Sequence, residues 1–456
     1  MPLGRTWQIV AGSAAIGLAV AVGAVAAAGP WESGQRTAER DFAAARDRQL
    51  DAAARPVATR HPAPPPAAAP VLRAAGAAQP QAAGADGTLA GRLDAIMASP
   101  DLGPVRTGAV IDVTTGRLLY GHRATTASTP ASLTKIATAV AALGTLGPAH
   151  RLSTTVVTTA PGTIVLVGGG DPTLELSGLA DDTAAALKAR GVASVRLAYD
   201  TSFFAGPALH PIGYNENLAP VTALMAREGR LDGSSAGPAD RATDPAGAAA
   251  ATFAQLLRSR GVAVKGLPAA GSGAGGTQLA VHRSVPLSDL VERMLTNSDN
   301  DIAEALARQV ARATGRRADF AGGAAAIRGA LARYGVPLGG AVFSDGSGLD
   351  HEDALSPVTL ARLLALAGAP GHPELRPVLT GLPVAAFTGT LASRFHGSAG
   401  AGLIRAKTGT LTGTNTIAGT TVLPDGRVLA FSFMTQGAAA PLPAESTLDH
   451  LATTLT

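Results

Sequence analysis

Residues 55–86 limit what the rest of the chain is free to become. Pro56, Pro62, Pro64, Pro65, Pro66, Pro70 and Pro80 stand there among alanines. Proline fixes φ and removes a backbone donor, so the stretch suits neither a helix interior nor a central strand. With so little apolar bulk it cannot bury a core. It reads as a semi-rigid stalk, partly polyproline II. Whatever folds compactly begins after it, near Gly87, and is still long enough to bury a large core.

What precedes the stalk is different in character. Arg5 is followed by an apolar run from Ile9 to Ala28, and about 20 such residues are enough to span a bilayer. Ala24-Val25-Ala26 and Ala26-Ala27-Ala28 also resemble signal-peptidase sites. The length favours an uncleaved anchor over a removed signal, and a stalk makes most sense with its far end held. Either way Arg5 stays inside and the bulk of the chain is exported, anchored or secreted. Residues 32–54 mix Arg36, Glu39, Arg40, Asp41, Arg46, Asp47 and Arg48 with alanines and suit a juxtamembrane helix.

Composition removes several classes of function. There is no cysteine, which excludes disulfides, thiolate chemistry and Cys-based metal sites. The nine histidines show no His-Glu-x-x-His or similar spacing, so no catalytic metal is expected, and no cofactor. The net charge of +4 comes from scattered residues, with no basic run or basic-aromatic patch to hold nucleic acid.

The folded part reads as follows. Leu89, Leu93, Ile96 and Met97 are helically spaced. Val105 to Val113 and Arg117 to His122 flank Thr114-Thr115-Gly116 as a β-hairpin. A hairpin leading directly into a helix argues against a doubly wound parallel sheet. Residues 151–285 change texture and read as an inserted domain, with strands at Thr154 to Thr159 and Thr163 to Val167 and a tight turn at Gly168 to Thr173. Two motifs in it lack their context. Gly233-Ser234-Ser235-Ala236-Gly237 matches a nucleophile elbow, but no buried strand precedes it and Pro238 follows. Gly271, Gly273 and Gly276 match a dinucleotide loop, but a strand-like Leu279-Ala280-Val281 follows instead of a helix. Ser356-Pro357 starts a further helix. From Gly402 to Thr435 the chain reads as a β-meander, turning at Pro424-Asp425-Gly426, and Pro443 to Leu455 closes as a helix.

Three short polar motifs punctuate these elements. Ser132 and Lys135 are three apart at a helix start, so both project from one face. Pro130 suits the start of that helix, with Ser128 or Thr129 as its cap. A hydroxyl beside an amine offers a nucleophile and a base, and helix amides close by suit an oxyanion. Ser298-Asp299-Asn300 breaks a helical pattern between Leu295 and Ile302, as a capping turn would. Lys407-Thr408-Gly409 lies in a strand.

Each motif alone is weak, but their order and contexts together resemble the penicillin-recognising serine enzymes. With Gly168 to Thr173, Asp345 to Leu349 and Gly389-Thr390-Leu391, the chain from about 88 to 456 resembles the class C low-molecular-mass penicillin-binding proteins of the D-alanyl-D-alanine carboxypeptidase/endopeptidase (DacB-type) family. The resemblance implies an α+β fold of the transpeptidase/β-lactamase kind, an antiparallel sheet sandwiched with helices and carrying an inserted domain. The implied organisation is an anchor over 1–31, a juxtamembrane helix and stalk over 32–86, a penicillin-binding domain from 87–150 and 286–456, and the insertion at 151–285. The gap between Ser132 and Ser298 is shorter than in fuller members of the family, which implies a reduced insertion.

The resemblance implies that Ser132 attacks the carbonyl between two D-alanines. Lys135 would be the base and Ser298 the proton relay. Burial and the charge of Lys407 would lower the Lys135 pKa. Asn300 would bind the substrate amide, and Lys407, Thr408 and Thr410 its carboxylate. The oxyanion hole would be the N–H of Ser132 and of Thr410. Gly409 would let substrate lie against the strand edge. The implied partners are peptidoglycan stem peptides, β-lactams as covalent inhibitors, and a membrane through the N-terminal segment. Two alternatives remain. A β-lactamase needs a dedicated carboxylate for deacylation; Glu304 follows Ser298, but nothing marks it as one. A β-lactam-sensing or cell-wall-binding protein would acylate without turnover.

Overall fold

A five-stranded antiparallel sheet frames the site, in the order β11-β12-β13-β1-β2. The computed structural model describes residues 84–456, with side chains from Leu89. The expected anchor and juxtamembrane helix, and nearly all of the stalk, lie outside the described residues. Among the described residues no helix is long and apolar enough to cross a membrane. In chain order come α1 (Gly84–Met97), β1 (Val105–Asp112), β2 (Leu118–His122), α2 (Thr134–Leu146), β3 (Ser153–Ala160), β4 (Thr163–Val167) and β5 (Asp171–Leu174). Then follow α3 (Leu176–Ala189), β6 (Ser194–Asp200), β7 (Leu224–Ala226), α4 (Pro245–Ser259), β8 (Ala263–Val264), β9 (Ala269–Ala270) and β10 (Thr277–Arg283). The chain ends with α5 (Leu287–Asn297), α6 (Asn300–Ala313), α7 (Phe320–Arg333), α8 (Pro357–Gly368), α9 (Arg376–Thr380), β11 (Arg405–Leu411), β12 (Thr414–Val422), β13 (Val428–Gln436) and α10 (Pro441–Thr453).

The sheet is buried on both faces, and the two-residue strand period sorts its side chains between two cores. Ala109, Ile111, Ala430 and Met434 face α2 and α5 to α8. Val110, Phe431 and Phe433 face the other way, toward α1 and α10. The expected β1–β2 hairpin forms, its turn held by Asp112 Oδ1 accepting from the Thr115 N–H at 2.8 Å. Ser356 caps α8, accepting from the Thr359 N–H at 3.2 Å with Pro357 at the first helical position. Some bounds differ from expectation: β11 begins at Arg405 rather than Gly402, and the closing helix runs Pro441–Thr453 rather than Pro443 to Leu455.

Residues 153–283 build a second sheet, ordered β10-β3-β4-β6-β8, with β9 on β6 and β5 paired with β7. Its β4–β6 and β6–β8 pairs are parallel. It has a core of its own, in which Phe253 and Leu257 of α4 pack with Leu179 of α3 and with Val156, Ile164 and Leu166 of the sheet.

Candidate active site

Pro130 leads into a 3-10 turn, Ala131–Leu133, that runs into α2 at Thr134. Ser132 therefore sits just ahead of the α-helix. The expected caps do not form. Ser128 pairs by its backbone with Leu355, and the Thr129 hydroxyl donates to the His351 carbonyl at 3.2 Å. Packing sets the turn instead. Ala131 has φ +50°, a left-handed conformation that costs a residue with a Cβ on the order of 1 kcal/mol. A Cβ at Gly348 would lie 2.0 Å from the Ala131 oxygen, so glycine there lets the Asp345–Gly348 turn seat the nucleophile. Gly409 has a similar task, which corrects the expectation that it makes room for substrate. A Cβ there would meet Thr416 Oγ1 at 2.3 Å and the Pro130 oxygen at 2.8 Å. The glycine lets β11 close against the Ser132 turn.

Lys135 lies wholly inside. Its Nζ donates to Ser132 Oγ at 3.0 Å, Asn300 Oδ1 at 2.6 Å and the Ser347 carbonyl at 2.7 Å. Burial lowers its pKa to about 8, against the pull of the Asp345, Glu304, Asp299 and Asp353 carboxylates. Lys407 is equally buried, its Nζ donating to Ser298 Oγ at 2.9 Å and the Thr408 carbonyl at 2.6 Å. Burial, and then the charge of Lys135, push it well below the usual lysine range. The like-charge effect thus falls mainly on Lys407, whereas the sequence led us to expect it on Lys135. The reason is the set of carboxylates facing Lys135, Asp345 first among them, which favours its charged form. Asp345 is the anchor of that set. Burial raises its pKa, but a bond from His210 Nε2 at 3.1 Å and N–H groups of Gly348 and Asp350 outweigh this and lower it.

The Ser298 turn is both a cap and a site element. Ser298, at φ +59°, closes α5 in the left-handed region, and Asp299 caps α6 by accepting from the Ile302 N–H at 2.9 Å. That elbow carries Ser298 and Asn300 to the two lysines. Asn300 is held on both ends, since its Nδ2 also donates to the Asn217 carbonyl at 2.8 Å. On the opposite side, the Thr408 hydroxyl donates to Thr390 Oγ1 at 2.8 Å, and the Thr410 hydroxyl lies 3.4 Å from Glu445 Oε1. β11 is an edge strand. The Ala406 N–H points outward to the Pro383 carbonyl, so by the strand period the N–H groups of Thr408 and Thr410 face the same open edge.

These groups converge on a cleft of about 590 Å³ that Ser132, Ser298, Asn300, Thr408 and Thr410 line. Lys135 and Lys407 lie beneath it, reaching it through the two serines. The structure therefore brings together every site residue read from the sequence, with Gly409 as a packing residue. The sequence missed the rest of the lining. Asn217, Arg230, Pro238 and Arg241 come from the inserted segment, and Ser393, Arg394, Leu442 and Glu445 from the far wall. The Gly233–Gly237 loop is no elbow, as expected, yet its end at Ala236 and Gly237 reaches the cleft. Thr390 had a signal in Gly389-Thr390-Leu391, but one without a role attached.

The chain matches the model of the D-Ala-D-Ala carboxypeptidase 3 (S13) family over residues 89–238 and 232–455. It is 36% identical over 373 residues to carboxypeptidase DacB of Mycolicibacterium smegmatis, covering 77% of this chain and 80% of that one. A carboxypeptidase of Mycobacterium tuberculosis is 36% identical over 425 residues, covering 87% of this chain and 90% of the relative. The crystal structure of penicillin binding protein 4 (dacB) from Haemophilus influenzae superposes with a TM-score of 0.69 at 22% identity. That match covers 80% of this chain and 99% of the other, and shows the same fold.

Proposed function

The chain belongs to the D-Ala-D-Ala carboxypeptidase 3 (S13) family, and from that premise we propose how it works as a serine-type D-alanyl-D-alanine carboxypeptidase on peptidoglycan stem peptides. The observation that carries the reading is the amine of a fully buried lysine 3.0 Å from Ser132 Oγ. With a pKa of about 8, Lys135 is an amine in about a tenth of molecules at pH 7. An ordinary lysine would be one in fewer than about one in a thousand.

Lys135 takes the Ser132 proton as Oγ attacks the carbonyl between the two D-alanines. The N–H groups of Ser132 and Thr410 hold the oxyanion. The C–N bond breaks, Ser298 relays a proton to the leaving amine, and water then hydrolyses the acyl ester and frees Ser132. Thr408, Thr410 and Lys407 receive the terminal carboxylate. That anion supplies the counter-charge which a buried Lys407 ammonium lacks, so substrate capture and protonation of Lys407 go together. Penicillin, attacked in the same way, leaves a covalent acyl group on Ser132. Glu304 does not line the cleft, and its Oε1 is engaged with the Gly346 N–H at 3.0 Å, so nothing there supports the β-lactamase reading.

Export, with residues 9–28 as an anchor, belongs to the same proposal and is supported by Arg5 ahead of that apolar run. One experiment addresses both parts. Fluorescent penicillin added to intact cells making the full chain is expected to label it, to stay with the membrane fraction, and to miss Ser132→Ala. The purified chain is expected to release D-alanine from a diacyl-D-Ala-D-Ala peptide. Equal labelling of Ser132→Ala would sink the nucleophile, and penicillin hydrolysis without D-alanine release would sink the carboxypeptidase.

A further inference from the structure

The inserted segment reaches the Lys135 side of the site as well as the cleft wall, through His210. That residue lies between β6 and β7 and is buried. Arg308 of α6 fixes the approach to it, donating to the Ala205 carbonyl at 3.1 Å and the Pro207 carbonyl at 3.2 Å. The imidazole stands edge-on to the Phe320 ring of α7, with centroids 4.9 Å apart, and the Arg308 guanidinium lies 4.4 Å from the centre of that same ring. The Ile212 N–H donates to Nδ1 at 3.3 Å, so the ring proton sits on Nε2, which donates to Asp345 Oδ2 at 3.1 Å. Glu304 of α6 and Asp350 also face the ring. Burial lowers the His210 pKa, the Asp345 bond and these charges more than offset it, and in either charge state Nε2 keeps its proton.

The other donors to Asp345 are the N–H groups of Ser347, Gly348 and Asp350 and the Ser347 hydroxyl, all within five residues of it. Those bonds shape the turn. Glu304 and Thr138 hold its Gly346 backbone, and His210 holds its carboxylate from the insertion. The placement of the turn matters because the Ser347 carbonyl accepts from Lys135 Nζ at 2.7 Å. A lysine acting as a base has two N–H groups and one lone pair. With the N–H groups engaged by Ser347 and by Asn300 Oδ1, the lone pair is left for Ser132 Oγ. A displaced turn would aim it elsewhere. We propose that His210 is a positioning residue for acylation. It holds Asp345, so that the Ser347 carbonyl aims Lys135 at Ser132 and the Asp345 charge stays beside the amine. This rests on the reading of Lys135 as the base. His210 touches no substrate, and the path of the proton from Ser132 to Lys135 is unchanged.

The test is the pH profile of penicillin acylation by the full chain, compared among wild type, His210→Phe and His210→Gln. Phenylalanine keeps a ring against Phe320 and donates nothing. Its plateau rate is expected to fall about tenfold, which one hydrogen bond to a charged group supplies. Its inflection is expected below the wild-type value of about 8, because Asp345 with one donor fewer takes up a proton more readily and its charge no longer sustains that of Lys135. Glutamine offers an N–H at the reach of Nε2 and is expected to restore both. If His210→Phe does not fold, His210→Asn takes its place, with an amide too short to reach Asp345. A wild-type plateau and inflection in the variant without the donor overturn the proposal. An equal loss in both variants with the inflection unmoved shows a packing role and overturns it too, as does a move to higher pH, which shows that His210 acts by its charge. Acylation by Lys135→Arg at the wild-type rate overturns the base reading and this proposal with it.

Discussion

The body of the molecule and its inserted segment meet at the cleft but contribute to it in different ways. In the body, regular elements carry the chemistry. A helix start bears Ser132 and Lys135, a helix elbow bears Ser298, and a strand bears Lys407. All are fixed by packing on both faces of one antiparallel sheet. The insertion has a sheet and core of equal regularity, yet only its loops reach the cleft, through Asn217, Arg230 and Arg241. Its hold on the body combines an apolar seam, in which Phe204, Leu218, Val221 and Ala223 pack with Ala305 and Ala318, and the His210–Asp345 bond with a cluster of charges. Asp301 accepts from the Ala219 N–H at 3.0 Å and from Arg241 at 2.8 Å, while Glu228 binds Arg230 and Arg293. Proton transfer needs groups held to within tenths of an ångström, which buried regular elements provide. The insertion shapes and closes a wall. Chemistry and insertion stability are therefore separable except across these contacts, which include the bonds of His210 to Asp345 and of Asn300 Nδ2 to the Asn217 carbonyl.

The sharpest challenge to this separation is Lys135→Arg. Arginine keeps the charge but does not lose its proton in proteins. Penicillin acylation is expected to fall by at least about a thousandfold, at the upper end of what a general base contributes. The wild-type rate depends on the amine form, so it is expected to rise with pH, roughly tenfold per unit below about 8, and then level off. Stopped-flow acylation across pH checks both. A variant within tenfold of wild type would mean that the base lies elsewhere.

What the sequence made legible follows the same division. Ser132 and Lys135 were readable because one helical turn fixes their geometry. Ser298 was readable only through its place between the Ser132/Lys135 helix and the Lys407 strand, because a Ser/Asp/Asn break between two apolar periodicities is by itself an ordinary capping turn. The meander was readable because its turns carry Pro-Asp-Gly and similar signals. By contrast, the contact of Gly348 with the Ala131 carbonyl joins segments far apart in the chain and leaves no local mark. The same holds for Gly409 against Pro130, which local reasoning assigned to substrate. The parallel pairing of β4 with β6 depends on the crossover through α3, not on either strand alone. Asn217 and Glu445 are single polar residues in unpatterned surroundings, and only the fold brings them to the cleft.

A second prediction tests the insertion's independence. Phe253 is fully buried at the centre of its core. Phe253→Ala is expected to cost about 3–5 kcal/mol, as large-to-small changes of that residue do. If the cores are separable, calorimetry will show an early transition for the insertion. Below that transition, penicillin labelling per folded molecule will match wild type. A single transition shifted as a whole, with labelling lost in step, would show that the two regions fold as one.

The smallest effect lies at the charge cluster, and it tests the exception. Glu228 is fully buried, at φ +58°, and touches two guanidiniums, which would ordinarily hold a carboxyl low. Burial and the neighbouring Asp299 charge outweigh them and push it up to about 7 from 4.5. Between those values the folded state binds a proton that the unfolded state has lost. Stability therefore falls as pH rises from about 4.5 through 7, and the loss is complete above that. Glu228→Gln keeps the shape and removes the titration, so the slope in this window should flatten, by on the order of 1–3 kcal/mol over the whole range. Unfolding midpoints at pH 5 and pH 8 give the comparison. The variant is expected to change less than wild type between them. An equal fall in both proteins would place the pH sensitivity outside the contact between insertion and body, and would leave that contact a matter of packing.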